Sequence, residues 1–390
     1  MNLATQSPSG ETGDFYGVSF ERSAPDTMIL NMGPQHPSTH GVLRIVLELD
    51  GEYVLRAEPV LGYIHRMHEK MAEVRSFTQY LPNMGRVDYL HAMAWNWAYV
   101  GAVERLAGIV VPERAECIRV IVTELNRITS HLLWWGAFLL DLGAFTPIMY
   151  AFDDREQLLD LLQRPTGSRL TYCYFRFGGV SADLDQTFID GVLNFIPHLR
   201  SRFPLYRTLV TDNFILRQRL ERVGQLDAAT CRRYGATGPV LRGSGVGYDV
   251  RRAEPYSLYP SFRFDVPTAA EGDAMARYLV RVEEMEQSLR IVEQALERLP
   301  DTKGGFLMDK APKPSWKPPA GEACFAVEGA RGKIGVHVSA DGSAQPYRVK
   351  LRSPSFSNLS LFSELAQGTL LADAVAILGS LDLVIPEIDR

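Results

Sequence analysis

Cysteine is scarce. Cys117, Cys173, Cys231 and Cys324 are the four in 390 residues, and no two share a CxxC spacing. Neither a zinc ribbon nor a self-contained iron–sulfur site can be built locally from such a set. Unpaired and mostly flanked by apolar or helical sequence, they read as reduced cysteines of a cytosolic protein. Nucleotide fingerprints are missing too: there is no GxxxxGK[ST] and no GxGxxG. The nearest string, Gly243-Ser244-Gly245-Val246-Gly247, has the wrong spacing, precedes no clear helix and reads as a turn. GxSxG and HExxH are absent. So is any basic stripe, and the net charge of −5 argues against nucleic acid as the main partner. The most apolar run, Leu132–Leu140 (LLWWGAFLL), falls far short of the roughly 20 residues that span a bilayer. The chain is therefore expected not to cross a membrane, although it could sit on one. The opening MNLATQSPSGETGDFYG has no basic region followed by an apolar one, so no signal peptide is expected.

What is present is ordinary for a globular protein: 46% hydrophobic and 22% charged residues, in a chain long enough for one large core or two to three smaller ones. Residues 1–27 are polar and read as a flexible N-terminal arm. Residues 28–85 open with short apolar runs around Asp50-Gly51, a hairpin signal, and form a small β region. From Arg86 the period becomes helical (Leu90, Met93, Ala94, Trp97, Gly101). Pro112 opens a second helix to about Leu142, apolar on nearly every face and read as the central buried helix of a bundle. Further helices are expected at 153–163, 184–201, 204–222, 226–234 and 270–299, which completes a bundle over 86–299. Residues 300–321 form a Pro- and Lys-rich loop. Residues 322–390 return to strands (CFAVEG, KIGVHVS, YRVKLRS) around Asp341-Gly342 and close on a short helix near 363–379. The fold class is α+β, a central buried helical bundle flanked by a small N-terminal sheet and a C-terminal β region.

Histidine is concentrated rather than scattered. Five of the eight, His36, His40, His65, His68 and His91, lie within residues 36–91. The first two sit in Gly33-Pro34-Gln35-His36-Pro37-Ser38-Thr39-His40-Gly41, where two prolines and two glycines forbid a regular helix and fix a loop. Such a loop is too polar to fill a core. It reads as a structural loop, a binding site or a metal site, although no carboxylate or thiolate stands near it in sequence. Arg86-Val87-Asp88-Tyr89-Leu90-His91 packs hydrogen-bonding side chains against an apolar helix, a costly arrangement without partners. Asp88 could equally be a helix cap. Asp141 breaks an apolar helix end, and a histidine from the N-terminal loop is a chemically sensible partner for it.

These residues fall in strings that resemble the 49 kDa (D-type) subunit family of bacterial NADH–quinone oxidoreductase, respiratory complex I. The strings are NMGPQHPSTHGVLR (31–44), GYIHR with Glu69-Lys70, RVDYLHAM (86–93), RAECIRVIVTELNRITSH (114–131), LLDLGAFTP (139–147), FRFGGV (175–180), LRGSGVGYDVR (241–251) and SLDLVIPEIDR (380–390). They run in order over nearly the whole chain. The resemblance implies a fold shared with the large subunit of nickel–iron hydrogenases. In those proteins RxCGxC and DPCxxC hold the metals; here Asp88 and His91, then Val384 and Glu387, stand at the cysteine positions. No soft ligand survives, so no metal is expected in this chain.

The resemblance further implies a quinone headgroup in the old metal cavity. His40 and Tyr89 would be its proton-donating ligands, and Asp141 would orient and charge-balance His40. His36, Arg66, Arg86, Asp88, Asp382 and Val384 would line the pocket or lie near a terminal iron–sulfur cluster. That cluster and FMN would belong to partner subunits, and this chain would bind no cofactor of its own. Partners would be the cluster-bearing subunit and the membrane arm, with the chain peripheral on the cytoplasmic face of the cell membrane. A related quinone- or ferredoxin-linked complex, or a non-catalytic assembly protein, is the alternative. Two departures stand out. Relatives read HRGxEK where this chain has His65-Arg66-Met67-His68-Glu69-Lys70, and they often place histidine near the cluster where Thr171 stands.

Overall fold

A computed structural model describes residues 12–15, 18–24, 27–35 and 41–390, with side chains from residue 27 onward. The first sheet is an antiparallel meander in the order β1 (Thr12–Phe15), β2 (Val18–Ala24), β3 (Thr27–Met32), β4 (Arg44–Asp50) and β5 (Tyr53–Val60). Asp50-Gly51 makes the expected turn between β4 and β5, with Asp50 paired to Tyr53. β1 and β2 lie inside the stretch read from sequence as a loose arm. The reason is local: VSFERSA alternates in polarity, and β3 offers it an edge with unpaired amides and carbonyls.

Two short helices, α1 (His68–Ala72) and α2 (Phe77–Met84), lead to the bundle. It is built from α3 (Ala92–Ala107), α4 (Glu113–Asp141), α5 (Thr146–Thr166) and α6 (Gln186–Tyr206). Small helices follow: α7 (Phe214–Leu220), α8 (Ala228–Arg233), α9 (Pro239–Arg242) and α10 (Val250–Ala253). The long α11 (Ala274–Arg298) completes the bundle and packs against α4. α4 is central as expected, with both tryptophans of its apolar run, Trp134 and Trp135, buried.

The expected helix over 204–222 is instead broken. α6 runs through Pro204 to Tyr206, a π-helical turn occupies Arg207–Thr211, and Asn213 caps α7 by accepting from Ile215 N–H. Proline removes a ladder donor, and the wider turn absorbs the resulting mismatch.

The C-terminal sheet runs β10 (Arg348–Arg352), β9 (Gly332–Ala340), β8 (Gly321–Gly329). β8 and β9 form a hairpin with only Ala330-Arg331 at its tip. The chain ends in α12 (Pro354–Ser360), α13 (Phe362–Ala366), α14 (Leu371–Ser380) and α15 (Ile385–Asp389). Gln367-Gly368 divides the single helix expected near 363–379, with Gly368 at φ 76°.

Two cores cross the sequence blocks. The larger joins the bundle to β8–β10. The smaller joins β4 and β5 to residues 226–241 and to α13–α15. Val54 N–H donates to Thr369 O at 2.9 Å and Gly368 N–H to Val54 O at 2.7 Å, so the first sheet is tied directly to the C-terminal helices.

Candidate functional site

The segment 86–91 does not start the helix but turns ahead of it, and α3 begins only at Ala92. Asp88, 2% exposed, holds that turn: Oδ1 accepts from Leu90 N–H at 2.9 Å and His91 N–H at 3.1 Å. Its other oxygen accepts from Arg331 Nη1 at 2.9 Å. Arg331 reaches in from the β8–β9 tip and is 1% exposed. Its Nη2 donates to Ser130 Oγ at 3.1 Å and lies 3.3 Å from Asp382 Oδ1. Asp382 takes a left-handed backbone, φ 53°, at the end of α14. Its second oxygen faces Arg281 Nε at 3.6 Å, and Arg281 itself stacks over Trp134, 4.4 Å from the ring centre. Asp88 and Asp382, distant in sequence, are thus clamped by one guanidinium.

His91 closes the same corner. Its Nδ1 accepts from Ala330 N–H at 2.9 Å, which leaves Nε2 to donate to Thr123 O at 3.1 Å. Both ring positions are fixed, and burial holds the ring well below the usual histidine range, in its neutral form. Glu387 on α15 is fully buried and accepts from Trp95 Nε1 at 3.1 Å and Ser355 N–H at 3.0 Å. Burial, then the charge of Asp88, push its carboxyl up to about 7 against the pull of Arg331. Val384 is buried, and its N–H donates to Ser355 Oγ at 3.3 Å.

Asp88, His91, Val384 and Glu387 are therefore an arginine-paired carboxylate, a doubly bonded neutral histidine, a valine and an acid that keeps its proton up to near neutrality. That donor set does not fit a nickel–iron centre. Among the described residues no group of three or more His, Cys, Asp or Glu is arranged to hold a metal ion.

Tyr89 stands on this clamp and is 38% exposed, the one aromatic of the segment open to an incoming molecule. Burial of part of its ring pushes the phenol up; Arg331 and Arg155 pull it down, and Asp88 and Asp382 push it up again. Among the described residues no hydrogen bond engages its hydroxyl. Arg66 and Arg86 are joined beside it. Arg66 Nη2 donates to Arg86 O at 2.7 Å, and Arg86 Nη1 donates to Pro82 O at 2.6 Å. His68 is buried next to them, with neither ring nitrogen bonded among the described residues, and burial followed by the charge of Arg66 lowers it to about 4. Thr171 takes φ 49°, its main chain against Gly85, where an added Cβ would lie 3.1 Å from Thr171 C.

Asp141 is the last residue of α4 and is partly buried, beside an apolar cleft of about 370 Å³ lined by Leu139, Leu142, Phe145 and Leu216. His36 and His40 lie outside the described residues. Gly33, which starts their loop, has φ 87°, and any Cβ there would lie 2.2 Å from Leu43 O, so only glycine fits that crossing.

Sequence reasoning singled out Asp88, Tyr89, Asp382, Val384 and the Arg66–Arg86 pair, and the fold gathers them. It missed Arg331. A signal for Arg331 existed: an arginine in a two-residue turn between nearly apolar strands (Gly329-Ala330-Arg331-Gly332) has no solvent-side role to explain it.

Comparison with known proteins identifies the family. The family model of the respiratory-chain NADH dehydrogenase 49 Kd subunit matches residues 141–317 and 310–390. The chain is 58% identical over 389 residues to D subunit 2 of the NADH-quinone oxidoreductase of Opitutus terrae, covering 99% of this chain and 97% of that protein. It is 59% identical over 365 residues to the D subunit of the NADH-quinone oxidoreductase of Desulfotalea psychrophila, covering 94% and 97%. With an α+β fold, and with no helix among the described residues long and apolar enough to cross a membrane, the chain belongs to the 49 kDa subunit family of the respiratory NADH dehydrogenases.

Proposed function

We propose that this chain is the quinone-site subunit of an NADH–quinone oxidoreductase complex, peripheral on the cytoplasmic face of the cell membrane. Electrons reach the quinone from a terminal iron–sulfur cluster in a neighbouring subunit, and this chain supplies protons and positions the headgroup. Reduction to quinol takes two electrons and two protons, and each carbonyl oxygen needs a donor within hydrogen-bond reach. Tyr89 and His40 are those donors. Asp141 orients His40 and balances its charge. Arg66 and Arg86 present fixed cations toward the cluster-bearing subunit, where positive charge favours reduction of the cluster. His36, Asp88, Asp382 and Val384 border the headgroup.

The observation that carries this reading is the state of Tyr89: an accessible phenol, with no hydrogen bond among the described residues, beside an Asp88 carboxylate both of whose oxygens are hydrogen-bonded. A phenol that no described residue engages, next to a fixed carboxylate, suits a proton donor. Tyr89→Phe removes that hydroxyl with little change in volume. In the assembled complex it is expected to lower NADH-driven quinone reduction on the order of 10²–10⁴-fold. Electron input from NADH to an artificial acceptor should survive. Wild-type quinone turnover in the assembled variant would refute the assignment.

A further inference from the structure

The last residues of the chain reach the turn that carries Tyr89 from two directions. On one side Asp382 and Asp88 share Arg331, and Asp88 holds the main chain of Leu90 and His91. On the other side stands Asp389, which ends α15. Its Oδ1 accepts from Gly62 N–H and its Oδ2 from Ile64 N–H, both at 2.9 Å. Its carbonyl accepts from His65 Nδ1 at 2.7 Å. Arg390 fastens the end of the chain in turn, donating through Nη1 to Leu351 O at 2.9 Å.

The loop held by Asp389 runs from β5 to α1 and is largely exposed. Water could satisfy such a main chain, so two charge-assisted bonds to one carboxylate serve to fix its place. Its far end is fixed as well: Glu69 of α1 accepts from Leu351 N–H at 3.0 Å and pairs with Lys350 at 3.0 Å. Arg66 lies between these two anchors, and its Nη2 donates to Arg86 O at 2.7 Å. That carbonyl opens the 86–91 turn. Each link from Asp389 to the turn is a hydrogen bond or a short run of main chain.

We propose that Asp389 is a positioning residue for quinone reduction. By fixing residues 62–66 it keeps Arg66 on the Arg86 carbonyl, and so sets where the Tyr89 hydroxyl stands. This rests on the reading of Tyr89 as a donor. Without the carboxylate, water takes over the amides of Gly62 and Ile64, and Arg66 loses its fixed base. The turn keeps its tie through Asp88 and Arg331 and still forms, but its first residue is free to shift. Proton transfer depends steeply on geometry: a misplacement of about 1 Å can cost up to 10²-fold in rate. The rest of the pocket still binds the headgroup, so the loss falls on kcat rather than on KM.

The test uses the whole complex purified from membranes, with NADH and a short-chain quinone, and NADH with an artificial acceptor as the assembly control. Asp389→Ala is expected to lower kcat on the order of 10-fold with KM little changed. In an Arg66→Met background it should add no further loss, because the chain of contacts is already broken. In a Tyr89→Phe background it should again add none, because the hydroxyl that it places is gone. A wild-type kcat in Asp389→Ala would overturn the proposal, as would a loss carried by KM or an undiminished further loss in either background. Should Asp389→Ala fail to assemble, Asp389→Asn, which keeps one accepting oxygen, takes its place with a smaller loss expected. If neither assembles, the carboxylate serves folding and the proposal falls. Tyr89→Phe with undiminished turnover would strike the donor reading itself; a lowered turnover there beside a wild-type Asp389→Ala would strike this proposal alone.

Discussion

Arg331 shows how much of this site hangs on one side chain. Its two terminal nitrogens reach Asp88, Ser130 and Asp382, and the backbone beside it fixes His91 through Ala330 N–H. Removing the cation leaves Asp88 buried without a counter-charge, while Asp382 keeps Arg281. A buried pair broken on one side costs about 3–5 kcal/mol, far more than the intact pair contributes. Arg331→Met is therefore expected to lower the unfolding free energy of the purified chain by about 3 kcal/mol or more. Arg331→Lys, which keeps the charge but not the fork, should lose less. Denaturant unfolding measures both; a loss under about 1 kcal/mol in Arg331→Met would mean that water or a shifted partner satisfies Asp88.

At the scale of elements, a buried ion network fastens the hairpin that carries Arg331. Glu328, at the end of β8, accepts from Arg242 Nη1 at 2.8 Å and from Val250 N–H at 3.0 Å. Arg242 also pairs with Glu284 of α11, and Glu284 meets His131 of α4 at 3.0 Å. Every member is inside, so the hairpin tip is held relative to α4 and α11 more tightly than its apolar face alone would require. α1 is set with less care. Its N-cap is Met67, at φ 55° and ψ 37°, with no side-chain hydrogen bond. A left-handed backbone costs a residue with a Cβ roughly 1–2 kcal/mol, part of which glycine gives back as unfolded-state entropy. Met67→Gly is expected to stabilise the chain by about 0.5–1 kcal/mol, read as a rise in the melting temperature. A lower melting temperature would show that the exposed Met67 side chain packs usefully.

Helices α4 and α11 were legible because apolar residues recur every three to four positions over many turns, and burial made that beat strict. The π-turn after Tyr206 was not. Its cause is Pro204 acting on a helix that neighbouring packing keeps going, which periodicity cannot register. Strands β1 and β2 were missed for a related reason: four and seven residues of mixed polarity gain their order from pairing, β1 with β2 and β2 with β3, not from a pattern of their own.

Across the whole molecule the site lies where the sequence meets itself. Its parts come from the turn before α3, the β8–β9 tip, the end of α14 and α15, and the last two pack in the core shared with the first sheet. Motifs alone brought Asp88, Tyr89 and Asp382 forward, because each stands in a string shared with a known family. Arg331 stands in none of those strings; its place in a two-residue turn hints at it, but the partner that fixes its role lies on a distant element and meets it only after folding. The account predicts that these elements form one wall of a quinone pocket in the assembled complex. A photoreactive quinone analogue tests this most directly. Irradiated in the complex and followed by peptide mapping, it should label this chain within the segment 86–91, and excess unmodified quinone should suppress the label. Labelling that spares this chain altogether while quinone reduction is blocked would contradict the account.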